Sequence, residues 1–513
     1  MVLSGAPIVA TKRLDELLDA GLASRPDGPA LVSHAGATSY RDLDRQAGAL
    51  ARAYLAQGLK PGDRIASLMP NRALLFAHYL ACQRAGLVAT PLNYRYTPPE
   101  IDHALSVCEP RAVVAHRERD TDLAASRAGA LPVVIRFDDE DGGDLARLAA
   151  GQPLDAAPEL VESAPAAIFF TSGSTGPAKG VTHTRASLAA IFSSAVQSFR
   201  LTAPDVVLPA SSCSHIGGFT CAMAGLSAGA SVAVARSFDH LEIGALLRTT
   251  RPSMMSMLPV TLLTLIREHD MGAADFASLR LIRSAGDKVP DELEKELFAR
   301  AGKRISEGYG MTEFGLAALN APEEPGALGS VGRASPGFSF SVRDASGAEA
   351  APEIEGRLWA KTATQSCGYW RDEAASREVM RDGWFDTGDV MKSDAEGRLW
   401  FCGRAKQIIV HDGSNISPQE VEDALLEHPA VGGAGVIGVH DMLHGETVRA
   451  YVTLRRESPA PTAGELIAFA RARVGYKAPE QIVVLDEMPM NATGKVDRDA
   501  LKRLAAADHA QIR

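Results

Sequence analysis

The sequence predicts an α/β protein in which helices are layered on mostly parallel sheets, with at least two domains. The chain has 513 residues, 46% of them hydrophobic, which is more than a single core accommodates. Short apolar runs alternate with segments of helical periodicity along most of its length. Between 329 and 400 the apolar runs are short and are separated by Gly and Pro, which indicates a small distorted β-barrel.

The first third of the chain alternates between predicted helices and strands. Residues 13–24 carry leucines at helical spacing, and Ser39 is a suitable cap for the next helix. The elements that follow are a strand at 64–68, a helix at 73–84, a strand at 87–91, a helix at 98–107 and strands at 112–115 and 133–136. This order favours crossover connections and parallel pairing.

The alternation continues to the C-terminus. The predicted elements are a buried strand at 166–170, a helix at 185–199, strands at 206–208, 279–283 and 304–306, a helix at 418–426, strands at 433–438 and 449–454 and a helix at 463–473. The last four elements indicate a small α+β domain.

A loop directly after the strand at 166–170 carries a strong chemical signal. It reads Thr171-Ser172-Gly173-Ser174-Thr175-Gly176-Pro177-Ala178-Lys179-Gly180. Glycines let backbone N–H groups converge on an anion, while hydroxyls and a lysine add donors and positive charge, so the loop suits a polyphosphate. It is not a Walker A loop, because Gly180 stands where that motif requires Ser or Thr. A flexible surface loop is the alternative.

Charge and cysteine content restrict the partners and the compartment. The net charge of -10 argues against nucleic acid as the main partner and leaves room for ATP, which needs only local positive charge. The six cysteines form no CxxC pair and no zinc-spaced cluster, so a cytoplasmic location is expected. No apolar run reaches the roughly eighteen residues of a membrane helix, and the N-terminus does not resemble a signal peptide.

A second motif, Glu307-Gly308-Tyr309-Gly310-Met311-Thr312-Glu313, follows the strand at 304–306. Tyr309 offers a ring face for stacking, and Glu313 offers a hard oxygen ligand suited to Mg²⁺. Together with the loop at 171–180 and five further segments in the same order, this motif resembles the adenylate-forming superfamily. That superfamily includes acyl-CoA synthetases, peptide-synthetase adenylation domains and luciferases. The resemblance covers nearly the whole chain.

The resemblance implies a nucleotide site. The residues expected to bind ATP or AMP are Thr171, Ser172, Gly173, Ser174, Thr175, Gly176, Lys179, Gly286, Asp287, Lys288, Glu307, Gly308, Tyr309, Gly310, Met311, Thr312, Asp389, Arg404 and Lys495. Those expected to act in catalysis are Lys495, Glu313, Thr312 and Lys179, with Glu313 and Thr175 at the metal. Asp389 takes the role of the carboxylate that holds both ribose hydroxyls, since one carboxylate can accept from two adjacent O–H groups. The turn at 284–288 departs from the Ser-Gly-Gly-Ala-Pro of many relatives.

An acyl site is implied by His215-Ile216-Gly217-Gly218, which matches the His-x-x-Gly of the resembled CoA ligases. The residues expected to line it are His215, Gly218, Arg283, Gly308 and Phe314. Amino-acid-activating members usually place an aspartate near this segment, and this chain has none there. We expect Arg283 to meet a polar or acidic tail on the substrate, because a buried arginine needs such a partner. A structural salt bridge is the alternative.

The resemblance also divides the chain into a large N-terminal domain, residues 1–403, and a small mobile domain, residues 404–513. Lys406 occupies the hinge position, and the residues expected near coenzyme A are Gly413, Ser414, Asn415 and Lys477. The small domain delivers Lys495 for adenylation and then rotates to present its CoA loop.

The implied function is an ATP-dependent carboxylic acid–CoA ligase that uses Mg²⁺. It forms an acyl-AMP with release of pyrophosphate and then an acyl-CoA with release of AMP. The alternatives are an acyl-AMP ligase that serves a carrier protein, a luciferase-like monooxygenase and a catalytically silent nucleotide-binding protein. The sequence does not name the acid, and it leaves open whether the chain works as a monomer or a homodimer.

Overall fold

The structure is a computed structural model, and it describes residues 2–9, 11–171, 178–237, 239–284, 289, 291–321, 327–411, 414–441, 445–455, 460–491 and 494–511. Its strands form three sheets flanked by helices. The predicted α/β class is confirmed.

The first sheet has seven strands and a parallel centre. Its order is Gly368–Tyr369, Gly180–Thr184, Pro165–Phe170, Val88–Pro91, Arg64–Leu68, Ala112–His116 and Val133–Phe137. The last five strands pair in parallel, and the two at the other end are antiparallel. Each parallel strand reads as an apolar run because both of its faces are covered.

The second sheet begins with a parallel half. Its order is Gly36–Ser39, Pro29–Ser33, Ser231–Ala233, Val206–Pro209, Met254–Met257, Leu281–Ser284 and Ile305–Met311. Only the terminal hairpin of this half is antiparallel. The prediction of mostly parallel sheets therefore holds for the two layers that carry helices.

The same sheet continues as an antiparallel, barrel-like half. Its order is Gly315–Leu319, Ser330–Ala334, Leu399–Arg404, Trp384–Ser393, Gly356–Thr362, Phe338–Arg343 and Leu3–Ser4, with Met380–Arg381 pairing beside Trp384–Ser393. Among the described residues no ladder closes the two ends, so the barrel is open. Aromatic side chains fill its interior, including Phe314, Phe338 and Phe385.

Helices cover the parallel sheets. The α-helices of this part of the chain are Asp19–Ser24, Tyr40–Ala56, Ala73–Ala85, Pro98–Cys108, Asp120–Ala124, Gly143–Ala149, Arg185–Phe199, Ile216–Ser227, His240–Thr250, Pro259–Arg267, Ala273–Phe276, Asp291–Ala301 and Glu373–Val379. Ser39 caps its helix as predicted, since its side chain accepts from the N–H of Asp42. The helical segment predicted at 13–24 is divided into a 3₁₀ turn, Leu14–Glu16, and the short helix.

The C-terminal part has its own sheet and core. The order Ser414–Ile416, Ile409–His411, Gly445–Leu454 and Val431–Asp441 is completed by Gln481–Val484, which pairs with Gly445–Leu454. The helices are Pro418–Leu426, Ala463–Val474 and Arg498–Gln511. The chain changes sheets between Arg404 and Ile409, the region where the sequence predicts the domain boundary. Within the described segments, no helix combines the length and the apolar character that a bilayer span requires.

Candidate active site

The candidate site lies at the carboxyl ends of strands from both large sheets. In the second sheet Leu281–Ser284 and Ile305–Met311 run in parallel, so the segments that follow them emerge at the same edge. In the first sheet Pro165–Phe170 ends directly before Thr171. Open α/β sheets bind their ligands at such an edge.

Hydrogen bonds join the two sheets at this edge. His183 Nε2 lies 2.8 Å from the carbonyl oxygen of Thr312. Burial lowers the pKa of His183 to about 4, so the neutral ring donates this bond from Nε2. The backbone N–H of Ser366 donates to the carbonyl of Glu313 at 2.7 Å. The Thr312-Glu313 turn is thereby held between the sheets.

Lys179 and Glu313 meet through Tyr369. The Lys179 ammonium lies 4.9 Å from the centroid of the Tyr369 ring. The Tyr369 hydroxyl donates to Glu313 Oε1 at 2.9 Å. The lysine of the first sheet and the carboxylate of the second therefore face the same space. Sequence reasoning missed Tyr369, which lies on a two-residue strand and in no pattern that marks a site.

Glu313 is suited to a hard cation. The residue is 5% exposed, and burial raises the pKa of its carboxyl group although the Tyr369 hydroxyl opposes the shift. Among the described residues, Tyr369 is the only other residue that donates to the Glu313 carboxylate, and its bond goes to Oε1. A buried carboxylate gains charge compensation from Mg²⁺, so the residues present fit that ion.

The predicted ribose residues form a connected group. Asp389 and Arg404 are partners on adjacent strands, and Arg404 Nε lies 3.1 Å from Asp389 Oδ1. The Tyr309 hydroxyl donates to Asp389 Oδ2 at 2.6 Å. Burial raises the pKa of Asp389, and the Arg404 charge opposes that shift. Tyr309 keeps 8% of its surface exposed, so its ring is held mainly by packing and by this hydrogen bond.

Lys495 reaches this part of the molecule from the C-terminal part. Its backbone is held in a turn, where the N–H of Lys495 donates to Asn491 Oδ1 and the N–H of Asn491 donates to the Lys495 carbonyl. Burial raises the pKa of Asp389 and lowers that of His215; the positive charge of Lys495 opposes the first shift and adds to the second. The lysine is therefore within electrostatic reach of both the predicted ribose site and the predicted acyl site.

His215 stands at the N-terminus of the helix Ile216–Ser227. Surrounding protein atoms, with the Lys495 charge as a second cause, lower the pKa of His215 to about 4, so its ring is neutral at pH 7. Its Nε2 lies 3.3 Å from Nδ2 of Asn93, a residue that sequence reasoning missed. Asn93 comes from the loop after Val88–Pro91, so here too the first sheet meets the second.

Close approach of the backbone requires glycine at two of the predicted site positions and favours it at a third. A Cβ at Gly218 would lie 2.5 Å from the carbonyl oxygen of Ser212, and one at Gly310 would lie 2.4 Å from that of Gly315. A Cβ at Gly308 would lie 3.1 Å from the Ala318 carbonyl oxygen. The structure therefore explains these glycines by close backbone approach.

Two predicted acyl residues have different surroundings. Phe314 has no exposed surface and packs against Phe338 and Phe385 inside the barrel. The prediction that its side chain lines the acyl site is wrong, because the sharp turn after Glu313 directs it into the barrel core. Arg283, in contrast, is buried on the strand Leu281–Ser284 and donates to Ser256 Oγ at 2.8 Å.

Several predicted residues lie outside the described residues. They are Ser172, Gly173, Ser174, Thr175, Gly176, Gly286, Asp287, Lys288 and Gly413. Of the other residues predicted near coenzyme A, Ser414 and Asn415 lie on the strand Ser414–Ile416. The Lys477 ammonium lies 2.7 Å from Glu420 Oε2, within the C-terminal part.

A second cluster of titratable groups, His116, Glu118 and Asp139, is an ion-pair network. Arg72 Nε lies 2.7 Å from Asp139 Oδ1, and Arg236 donates to both oxygens of Glu118. The Arg236 guanidinium is the largest cause that lowers the pKa of Glu118 to about 2. Two guanidinium groups already neutralise the carboxylates, so the cluster does not favour a metal cation.

Comparison with known proteins gives consistent matches over nearly the whole chain. A family model described as AMP-binding enzyme matches residues 18–370, and one described as AMP-binding enzyme C-terminal domain matches residues 420–495. Indoleacetate–CoA ligase from Aromatoleum aromaticum is 31% identical, over 96% of this chain and 98% of its own. Feruloyl-CoA synthase from an Amycolatopsis species is 32% identical, over 92% and 95%. The crystal structure of ATP-bound MatB from Rhodopseudomonas palustris has a TM-score of 0.89 at 29% identity, over 96% and 99%.

Proposed function

The chain belongs to the AMP-binding enzyme family, and we propose that it acts there as an ATP-dependent, AMP-forming acid–CoA ligase. It activates a carboxylic acid as an acyl-AMP, releases pyrophosphate, and transfers the acyl group to coenzyme A. The observation that carries the proposal is that Lys179 and Glu313 meet through Tyr369, with the Asp389–Arg404 pair in electrostatic range of Glu313 and Lys495 in electrostatic range of Asp389. Homologues that are named as CoA ligases support it over nearly their full length.

Adenylation requires stabilisation of negative charge that develops on the α-phosphate and on pyrophosphate. Lys179 and the backbone N–H groups of its loop oppose that charge from the first sheet. Lys495 opposes it from the C-terminal part and aligns the carboxylate of the acid with the phosphorus atom. The Thr312 hydroxyl binds the α-phosphate. The acid itself is the nucleophile, so the protein forms no covalent intermediate.

Glu313 and Thr175 are the residues that would hold Mg²⁺. When bound, the ion supplies positive charge to the phosphate oxygens. The Tyr369 hydroxyl orients the Glu313 carboxylate and favours its ionised form, which is the form that binds a cation.

The nucleoside is held by the Asp389 group. Asp389 accepts from the two ribose hydroxyls, while Arg404 and the Tyr309 hydroxyl keep the carboxylate oriented. Tyr309 and Glu307 border the adenine; Gly286, Asp287 and Lys288, which lie outside the described residues, stay predicted contacts of the nucleotide. The acyl group extends from Lys495 past His215, whose neutral ring adds no charge next to the reacting carboxylate.

The second half-reaction needs a thiol where Lys495 stands during the first. We propose that the C-terminal domain, residues 404–513, rotates about Lys406, which withdraws Lys495 and presents Ser414, Asn415 and Lys477 to coenzyme A. Lys477 is paired with Glu420 at 2.7 Å, so binding of a CoA phosphate there requires exchange of this partner for the phosphate.

To test the ligase function, the protein is incubated with ATP, Mg²⁺ and a panel of carboxylic acids, and the release of pyrophosphate and AMP and the formation of thioester are measured. We expect acid-dependent pyrophosphate release, and acyl-CoA when CoA is added. Thioester with a carrier protein but not with CoA would favour the acyl-AMP ligase. Absence of AMP with every acid would refute the proposal.

A further inference from the structure

Arg283 is a buried arginine without a carboxylate partner among the described residues. It is 7% exposed. Its Nη1 donates to Ser256 Oγ at 2.8 Å and lies 3.9 Å from Cys221 Sγ, and its guanidinium carbon lies 5.7 Å from the centroid of the Phe199 ring. Its Nε has no hydrogen-bond partner within the part of the chain that the structure describes. All three neighbours are uncharged, so the structural salt bridge that the sequence left open is not present within the described part of the chain.

Two other buried arginines, Arg72 and Arg185, lie close to carboxylates. Arg72 lies 2.7 Å from Asp139 and 3.4 Å from Glu242. Arg185 lies within 4 Å of Asp15 and Glu162 and donates to a carbonyl oxygen. A guanidinium removed from water without a counter-charge is unfavourable, so Arg283 calls for an anionic partner that the described residues do not provide.

The position of Arg283 connects it to the acyl site. Its strand, Leu281–Ser284, ends at the edge where the candidate site lies, and the neighbouring strand supplies Ser256. Cys221 lies on the helix that begins after His215, six residues further along. Six residues of α-helix span about 9 Å. The guanidinium is therefore placed deeper between this helix and the sheet than His215.

We propose that Arg283 selects acids that carry a second anionic group, a carboxylate or a sulfonate, several bonds from the reacting carboxylate. This inference rests on the proposed ligase function and specifies its substrate class. The planar guanidinium can donate two parallel hydrogen bonds to such a group. Ser256 and Phe199 hold the guanidinium in place, so little orientation is lost when the anion binds.

An uncharged tail leaves this group unpaired. The guanidinium then stays buried without an anionic partner. A binding site discriminates most strongly against substrates that leave its buried polar groups unpaired in this way. The preference should appear mainly in KM, because the contact is made in the ground state as well as in the transition state.

The experiment compares matched acids in the pyrophosphate-release assay. Each α,ω-dicarboxylic acid, from three to eight carbons, is paired with its monomethyl ester. We expect kcat/KM to be at least about a hundredfold higher for the best diacid than for its ester. In Arg283→Met the diacid should lose that advantage, with the ratio falling below about ten and the change appearing in KM. Arg283→Lys keeps the positive charge but loses the two parallel N–H donors of the guanidinium, so it should retain part of the preference for the diacid.

Arg280→Met is the matched control. Arg280 directly precedes the same strand and is paired with Asp205 at 3.0 Å, so its loss should leave the ratio unchanged. A wild-type enzyme that prefers the esters, or an Arg283→Met variant with an unchanged ratio, would overturn the inference. The wild-type comparison decides this even if the variants do not fold. If only acids without a second charged group give AMP, the ligase function stands and the role of Arg283 is refuted. If no acid gives AMP, the ligase function itself is refuted.

Discussion

The nucleotide end and the acyl end of the candidate site compensate their charges differently. At the nucleotide end, Asp389 is paired with Arg404 and accepts from Tyr309, and Glu313 accepts from Tyr369. At the acyl end, His215 is neutral and Arg283 has only uncharged neighbours among the described residues. At the first end each carboxylate already has a protein partner, whereas at the second end the Arg283 guanidinium has no charged partner among the described residues. We therefore expect the nucleotide end to serve one fixed ligand and the acyl end to determine which acid is used.

The largest expected effect comes from Lys495→Ala, which removes the charge shared by both ends. Adenylation should fall by about a hundredfold or more, because a group that stabilises developing charge is lost. Thioester formation from preformed acyl-AMP should be spared. Single-turnover assays of each half-reaction measure the two effects. Lys502→Ala, on the exposed face of the last helix, is the control and should affect neither. Equal losses in both half-reactions would contradict the assigned role of Lys495.

The next largest effect is expected from Asp389→Asn, at the nucleotide end, where the carboxylate is paired with Arg404. The substitution leaves Arg404 without its carboxylate and weakens the acceptor for the ribose hydroxyls. Because hydrogen bonds to a charged group contribute about 1.5–3 kcal/mol, the KM for ATP should rise by roughly tenfold to a hundredfold. The KM for the acid should change little. Steady-state kinetics with each substrate varied in turn measure both values, and a larger rise for the acid would show that the two ends are not separate.

A smaller effect is expected from Tyr369→Phe, which removes the hydroxyl that favours ionised Glu313. Burial already raises the pKa of Glu313 above its ordinary value, so activity should fall as the pH drops through that pKa and the cation-binding carboxylate is lost. Without the hydroxyl this pKa rises further, and the acidic limb of the kcat/KM profile should move to higher pH.

The pH profile also tests whether His215 titrates in the range in which the effect of Tyr369→Phe is expected. The His215 pKa of about 4 predicts no inflection from this ring between pH 5.5 and 8. The pH profile of the wild-type enzyme and of Tyr369→Phe, taken at saturating Mg²⁺, checks both statements. An unchanged acidic limb in the variant would show that Glu313 does not depend on Tyr369.

The smallest effect concerns stability at the acyl end. In Gly218→Ala the new methyl group would lie 2.5 Å from the Ser212 carbonyl oxygen, so the free energy of unfolding should fall by about 1–3 kcal/mol. Gly217, the adjacent residue of the same helix, has no atom within 4 Å of its Cβ position. Gly217→Ala should therefore be neutral or stabilising by up to about 1 kcal/mol. Urea unfolding measures the pair, and equal effects would argue against the close contact at Gly218.

The sequence predicted the elements well where periodicity and burial agree. The helices Arg185–Phe199 and Pro418–Leu426 and the strand Arg64–Leu68 begin and end as predicted. Phe314 was misplaced because a motif gives the order of residues and not the direction of a side chain after a turn. Tyr369 and Asn93 were missed because each comes from a short segment that is distant in sequence from the groups it contacts.

By itself, the sequence determined the α/β class, the order of the two parts and the chemical types gathered for a nucleotide, because apolar periodicity and glycine-rich motifs are local properties of the chain. Only the tertiary structure decided that Lys179 and Glu313 share Tyr369, that Asp389 is paired with Arg404, and that Arg283 has no acidic neighbour among the described residues. These facts depend on which strands are adjacent and on how much water is excluded between them. Both are set by the packing of segments that lie far apart in the chain.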